Sequence, residues 1–424
     1  MAVQKKDFET QRIHDFSAKL KQESEIENFK NYIRLQREIN KNPSAFFKDI
    51  SDTTKNYVGP IVDYSLASIN LDLTTACTHA CTFCVDDSVT NLGKSFKREE
   101  IIQTLKILSE HGLKSVILIG GGEPTLHPFF VETVKYIKSL NLQLGIVSNG
   151  SRGEKIAQIA QSLKPKDYIR FSIDAGIDST YQKIHRPKGS GNSLQDVLNW
   201  AQVIKKTNPQ ISLGYSFVVC WEGIRYNNNL VPNNIKEIPI AAKNCIDNKF
   251  DYLSLKPCLV KFNNYGVETL FYKEEKDKIA KVSSEIKREI AAAKDIAENK
   301  LKIVESVNMS AMLNGTLDNL RRQPLLCHAG FFRQVVTPHG IFHCPGFRGS
   351  KDAFLSNSDG YSTEKSMKDT KNKATQILME FNASMRCKDI ACFYNGVNWS
   401  IQNLIDSNED LDSLEITEDS DFFL

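Results

Sequence analysis

From residue 65 onward the sequence alternates short β-prone runs with amphipathic helical runs, and no other feature narrows its folding options so far. The β-prone runs fall at 68–74, 115–120, 142–148, 168–174, 212–220 and 252–256. Between them, 97–111, 127–140, 152–163, 194–206 and 233–248 carry apolar residues at helical spacing. Strands separated by helices need crossover connections, and those build a parallel sheet covered on both faces. The expected class is therefore α/β, with six strands in either a partial (β/α)6 barrel or an open sheet. Spacing alone does not choose between these two.

The flanking regions read differently. Residues 1–64 form a charged helical extension in which Phe16, Leu20, Ile26, Phe29, Ile33 and Leu35 recur at roughly helical intervals. It either packs across the main domain, assigned to 65–300, or lies partly loose on it. After Pro257 the repeat lapses into one long charged helix at 273–299, then a linker. Residues 301–400 read as a small second domain, in which Pro338-His339-Gly340 separates two β-prone runs as a hairpin would. Residues 401–424 are an acidic tail: from Asp406 to Phe423 there are eight acidic residues and no basic one. Such a segment is expected to be disordered or loosely docked.

With 54 Lys+Arg against 51 Asp+Glu, the net charge of +3 excludes a strong polyelectrolyte role. Basic runs at 205–210 and 287–294 and at Arg321-Arg322 are interspersed with acids and lack an aromatic stripe, which argues against nucleic acid as partner. The opening residues show no signal-peptide core, and no run of 18 apolar residues occurs. The expected location is the cytoplasm, away from membranes, where ten cysteines would stay reduced and available for metal.

Seven of these cysteines form two groups. Cys77-Thr-His-Ala-Cys81-Thr-Phe-Cys84 follows the first β-prone run, so three thiolates share one loop and can converge on one soft metal centre. Three ligands leave a coordination position vacant, whereas a structural zinc site wants four. Zinc completed by His79, or buried structural thiols, are the competing readings. Cys327, Cys344, Cys387 and Cys392 make a closed four-thiolate set, suited to a structural or electron-relaying centre. A four-cysteine zinc site is the alternative there.

The spacing Cys77-x3-Cys81-x2-Cys84, with Phe83 before the third cysteine, resembles the signature of radical S-adenosylmethionine (SAM) enzymes. Further motifs follow in that family's order. Gly121-Gly122-Glu123 lies at the end of the second β-prone run, Ser148 and Asn149 close the third, and Ser172 and Asp174 close the fourth. Arg170 shares a face with Ser172 by strand alternation. The stretch 170–176, followed by Tyr181, His185 and Arg186, looks like its counterpart in the SPASM/twitch subgroup; a solvated helix end is the plain reading of His185 and Arg186. Cys327, the Pro-x-Gly hairpin and His343-Cys344-Pro345 resemble the auxiliary-cluster domain of that subgroup, though with four cysteines where a full SPASM domain has seven.

The resemblance implies a radical-SAM-type partial (β/α)6 barrel with a small C-terminal auxiliary-cluster domain. It implies S-adenosyl-L-methionine and two [4Fe–4S] clusters as cofactors. Cys77, Cys81 and Cys84 would hold the SAM-binding cluster, and the other four cysteines the auxiliary one. Gly121, Gly122 and Glu123 would address the SAM ammonium, and Ser148, Asn149, Ser172 and Asp174 its ribose and carboxylate, with Arg170 nearby. An external one-electron donor such as flavodoxin or ferredoxin would reduce the first cluster, and a 5′-deoxyadenosyl radical would abstract hydrogen from substrate. The expected substrate is a small natural-product or sugar-like molecule undergoing epimerisation or oxidation, with a ribosomal peptide as the alternative. Nucleic-acid modification and a non-catalytic iron–sulfur carrier are lesser readings.

Three cysteines remain. Cys245 lies in a helical run and reads as packing. Cys220 and Cys258 follow the fifth and sixth β-prone runs, and a thiol there would donate a hydrogen atom to a substrate radical; Lys256 beside them would bind or deprotonate substrate. Tyr215 is a weaker candidate, since alternation puts it on the opposite face from Cys220.

Overall fold

In a computed structural model, the chain is described at residues 16–48, 56–62, 64–189, 192–226, 229–262, 267–270 and 276–424. The first fifteen residues of the expected extension lie outside these. Ten strands form one sheet: β1 Ser68–Leu71, β2 Ser115–Leu118, β3 Gln143–Ser148, β4 Tyr168–Ser172, β5 Ser212–Val219, β6 Tyr252–Pro257, β7 Lys302–Glu305, β8 Arg333–Thr337, β9 Gly340–Phe342 and β10 Phe354–Ser356. Their order is β7-β6-β5-β4-β3-β2-β1-β8-β9-β10. Every pairing from β7 to β8 is parallel. Only β9 and β10 run antiparallel to their neighbours. The α/β class and the mostly parallel sheet are as expected.

All six expected strands are present. Three end two or three residues early, because Asp72, Gly120 and Asp174 have already left the sheet for the loops at its C-terminal edge. The expected linker after the long helix (Lys276–Ala297) is corrected: Lys302–Glu305 is β7, added in parallel beside β6. The hairpin forms as β8 and β9, and β8 pairs with β1, so the second region extends the same sheet.

Alternation divides the sheet chemically. On β4, Ile169 and Phe171 are fully buried, while Tyr168, Arg170 and Ser172 are half-buried on the other face. On β5 and β6 the apolar face carries Leu213, Tyr215, Phe217, Leu253 and Leu255, packed with helix residues such as Ile204 and Ala241 into the main core. Tyr215 donates to the Ala175 carbonyl from within that layer. Ser216, Ser254 and Lys256 continue the polar face.

The N-terminal helix α1 (Ile26–Lys41) is no loose flap. Its Phe29, Tyr32 and Ile33 are at most 3% exposed. Tyr32 Oη is 2.8 Å from His328 Nδ1, and Arg37 donates to the Leu404 carbonyl at 2.8 Å. The acidic tail is also corrected. Leu411, Leu414, Phe423 and Leu424 are buried, and Lys30 and Lys19 pair with Asp412 and Asp421 at 2.9 and 2.7 Å. Phe422 N–H reaches Gln143 Oε1 at 2.8 Å, and Phe423 meets the Tyr168 ring edge-on. Acid content signals disorder only when too little apolar surface is available to bury, and these four residues supply it.

Candidate cofactor and catalytic site

The chemistry-bearing residues gather where the parallel strands end. The loop after β1 carries Cys77, Cys81 and Cys84, and helix α2 (Asp178–His185) braces it. Ala80 N–H donates to His185 O and Thr82 N–H to Ile184 O, at 3.1 and 2.8 Å. Arg186, in the left-handed region at φ 42°, turns back so that its Nε donates to Ala80 O at 2.8 Å. His185 is buried, so the solvated-end reading is set aside for it, whereas Arg186 stays exposed and ties to the loop only through that bond.

Each thiol has local polar contacts. His79 N–H addresses Cys77 Sγ at 3.4 Å, His185 Nδ1 lies 3.2 Å from Cys81 Sγ, and Thr90 Oγ1 lies 3.9 Å from Cys84 Sγ. Burial pushes all three thiols up, Cys84 to about 11, and Cys81 is raised further by its neighbours Cys84 and Cys77. A cation centre would reverse that balance by taking the three as thiolates.

The glycine run packs against this loop. A Cβ on Gly122 would stand 2.5 Å from the Ala76 and Thr74 carbonyls, so only glycine fits there. Gly121 O accepts from Thr90 Oγ1 at 2.6 Å, and Gly121 N–H donates to Asp72 at 3.2 Å. Glu123 is 2% exposed, and both its carboxylate oxygens accept hydrogen bonds. Thr125 N–H, Thr125 Oγ1 and Ser148 Oγ donate to one oxygen at 3.1, 2.6 and 2.8 Å, and Asn149 N–H to the other at 2.7 Å. Glu123 thus knits the ends of β2 and β3, and the lone pair left on the oxygen that Asn149 addresses is what it can offer an ammonium. Asn149 Nδ2 sits 3.9 Å from Cys77 Sγ and 3.3 Å from Thr78 Oγ1.

At the end of β4, Asp174 adopts φ 54° and accepts from Val218 N–H at 2.7 Å, with its other oxygen 3.4 Å from His185 Nε2. Burial raises its carboxyl, against the opposing pull of His185. Ser172 is half-buried beside it. Arg170 has a buried Nε without a hydrogen-bond partner and, among the described residues, no carboxylate within ion-pair distance. Lys256 Nζ reaches Ser216 Oγ at 3.4 Å.

Cys220 and Cys258 meet. Their side chains are neighbours at the adjacent ends of β5 and β6, 0% and 1% exposed, and each thiol donates to a backbone carbonyl, Cys220 to Val218 O and Cys258 to Leu259 O, both at 3.7 Å. Cys258 N–H donates to Val219 O at 3.0 Å, so strand pairing continues past Pro257. Burial raises the Cys220 thiol well above its ordinary range, with Cys258 adding to the effect. Cys245 is buried in its helix, Ile238–Asp247, as expected of a packing residue.

Cys387 belongs to a small separate core with Val335, Phe342, Phe347 and Phe381, and Cys327 and Cys344 pack against it, while Cys392 packs against the main core. Cys387 is raised by burial and then by Cys392, Cys327 and Cys344. Cys344, pushed up to about 12, receives backbone N–H groups from Gly346 and Phe347. Arg333 on β8 is 7% exposed and donates to Asn70, with no carboxylate within ion-pair distance among the described residues. Arg348 Nε lies 3.0 Å from Asp72 and its Nη1 2.7 Å from Asp86, joining this region to the first loop. Burial pushes Asp72 up to about 7, opposed by Arg348. Asp72, Asp86, Thr90, Arg333 and Arg348 went unflagged in sequence; nothing in their spacing marks them.

Comparisons with known proteins bear on the segment that carries this site. Residues 71–218 match the family model of the radical SAM superfamily. This segment is a radical SAM domain. The S-adenosylmethionine-dependent nucleotide dehydratase of Thermoplasmatales archaeon (strain ISO4-H5) is 30% identical over 152 residues, 36% of this chain and 52% of that protein. The sporulation killing factor maturation protein SkfB of Bacillus subtilis (strain 168) is 28% identical over 179 residues, 41% of this chain and 42% of SkfB. The chain thus spans about half the length of the curated relatives it matches. Among solved structures, Streptococcus suis SuiB superposes with a TM-score of 0.53 at 13% identity, over 83% of this chain and 79% of SuiB. That likeness concerns the fold of the radical SAM domain and its surroundings. No helix among the described residues is long and apolar enough to cross a membrane.

Proposed function

We propose that this chain is an enzyme that reductively cleaves SAM and abstracts a hydrogen atom from a small, sugar-like or nucleotide-like molecule. The observation that carries the reading is the convergence of the Cys77/Cys81/Cys84 loop, Asn149 and the Gly121–Gly122 backbone at one strand edge of a radical SAM domain. The donor set suits a cluster. A single tetrahedral zinc at about 2.3 Å would draw its sulfurs to roughly 3.8 Å of one another. Among the described residues, neither cysteine group brings three thiols within 4.8 Å. A [4Fe–4S] cube holds its thiolates on separate irons and needs no such close approach.

When bound, the cluster supplies the electron that breaks the C5′–S bond of SAM to give methionine and a 5′-deoxyadenosyl radical. The chain's own residues do the rest. Asn149 faces the first thiol, Glu123 fixes the strand ends, and the polar sheet face directs Arg170, Ser172 and Lys256 toward one side. Arg170, lacking a carboxylate partner, would bind an anionic group on the substrate. The similarity to a nucleotide dehydratase supports a phosphate-bearing small molecule. The similarity to a killing-factor maturation protein favours the second reading, a ribosomal peptide as substrate. An external electron donor such as flavodoxin or ferredoxin belongs to either. The four C-terminal thiols and the cationic Arg333 beside them suit an auxiliary [4Fe–4S] cluster, whose charge is net negative.

Anaerobic reconstitution followed by chemical reduction tests this. We expect about eight iron and eight sulfide per chain and release of 5′-deoxyadenosine from SAM. Replacing Cys77, Cys81 and Cys84 with Ala should leave about four of each and abolish cleavage. Tightly bound zinc in the remaining site would remove the auxiliary cluster from the reading, and failure to cleave SAM would remove the enzyme.

A further inference from the structure

The cluster loop and its bracing helix bring together a set of ligand atoms of which the proposed reaction uses only the Cys81 sulfur. His79 is 2% exposed, and neither ring nitrogen has a hydrogen-bond partner. Leaving buried polar atoms idle costs stability, so such a residue calls for an explanation. Its ring centroid is 5.6 Å from that of His185. His185 Nε2 is 2.8 Å from the Ile173 carbonyl, which can only accept, so Nε2 carries the proton. Nδ1 therefore presents its lone pair toward Cys81 Sγ, 3.2 Å away. A carbonyl holding the far nitrogen is the arrangement found behind metal-bound imidazoles. One ligand atom from each of His79, Cys81 and His185 lies within 4.8 Å of the other two. The Tyr181 hydroxyl, beside the His185 ring, is also buried and unpartnered.

We propose that, before its cluster is in place, the chain binds one divalent transition ion such as Zn2+ through His79, Cys81 and His185. Imidazole nitrogen and thiolate suit this class of ion, and three protein ligands leave the fourth tetrahedral position to water. The Cys81 thiol proton passes to solvent as the metal–sulfur bond forms. Because Cys81 is shared, the ion and the cluster exclude each other. That exclusion rests on the cluster reading above; binding of the ion does not.

The test uses Co2+ as an optical probe on the Cys77→Ala/Cys84→Ala protein after anaerobic iron–sulfur reconstitution and desalting. This variant retains all three ligands and cannot complete the first cluster. One Co2+ per chain with tetrahedral d–d bands is expected, weakened ~10-fold or more by adding His79→Ala or His185→Ala. In the unmodified chain, excess Zn2+ should lower iron incorporation during reconstitution, and His79→Ala should relieve that inhibition. Co2+ binding that is absent, or indifferent to both histidines, overturns the proposal. If histidine-sensitive Co2+ binding persists in a chain that never accepts iron, the cluster reading fails and the site stands. A second Co2+ equivalent, indifferent to His79, counts only against the auxiliary cluster.

Discussion

Arg348 grips Asp86, with one guanidinium nitrogen 2.7 Å from each carboxylate oxygen and both side chains largely buried. Asp86 lies two residues after Cys84, and Arg348 four residues after Cys344. One ion pair thus holds the two thiol groups in fixed relation, and the 3.0 Å approach of Arg348 Nε to Asp72 extends it to the end of β1.

Removing one partner of a buried pair leaves an uncompensated charge, at a cost of about 3–5 kcal/mol. Arg348→Ala should therefore lower the free energy of unfolding by about that amount in denaturant titrations. Adding Asp86→Asn and Asp72→Asn should restore part of the loss. An Arg348→Ala chain as stable as the original would deny the pair its structural role.

Glu123 predicts a mixed phenotype. Glu123→Ala strands two backbone donors and two hydroxyls, which should cost on the order of 3 kcal/mol of stability. SAM affinity, measured by equilibrium dialysis on reconstituted protein, should fall more than iron content does. Iron loss with unchanged SAM affinity per cluster would make Glu123 a brace for the strand ends alone.

The paired thiols predict an isotope signature. If Cys258 donates hydrogen to a substrate radical, product formed in deuterated water should gain one deuterium, since a thiol proton exchanges with solvent. Cys258→Ala should still consume SAM but yield dehydrogenated or trapped products. Cys220→Ala should behave similarly, because its thiol lies next to the donor. No deuterium uptake and normal turnover in both variants would exclude the thiols and favour oxidation.

Buried histidines predict acid sensitivity. Burial lowers His328 and His343 from 6.5 to about 4. A depressed histidine pKa means that the unfolded chain takes up protons first, so stability is full above 6.5 and falls as pH drops toward about 4. Melting temperature should decline across that window. Replacing His343, which has no hydrogen-bond partner for either ring nitrogen, with Phe should flatten the decline.

Legibility followed sequence distance. Period-2 and helical patterns are local, so the first six strands and their helices could be read, as could a thiol triplet confined to eight residues. The Arg348–Asp86 pair spans 262 residues, and the His185–Cys81 contact spans 104. Neither has a local signature. β7 escaped notice because four residues after a charged helix carry too little pattern, and the tail because eight acids masked the apolar residues that anchor it.

The docking of residues near 22 against residues near 420 also sets a schedule for synthesis. Gln22 bonds to Asp421 across 399 positions, and Thr417 bridges the same residue. At about 5–20 residues per second, the early segment waits on the order of 20–80 s for these partners to be made. Through that interval part of the Phe16 and Leu20 surface, which packs on late-made residues such as Tyr394, stands open on a nascent chain. Slowed translation would lengthen that exposure, so the yield of folded protein should respond to chaperone supply more than its equilibrium stability implies.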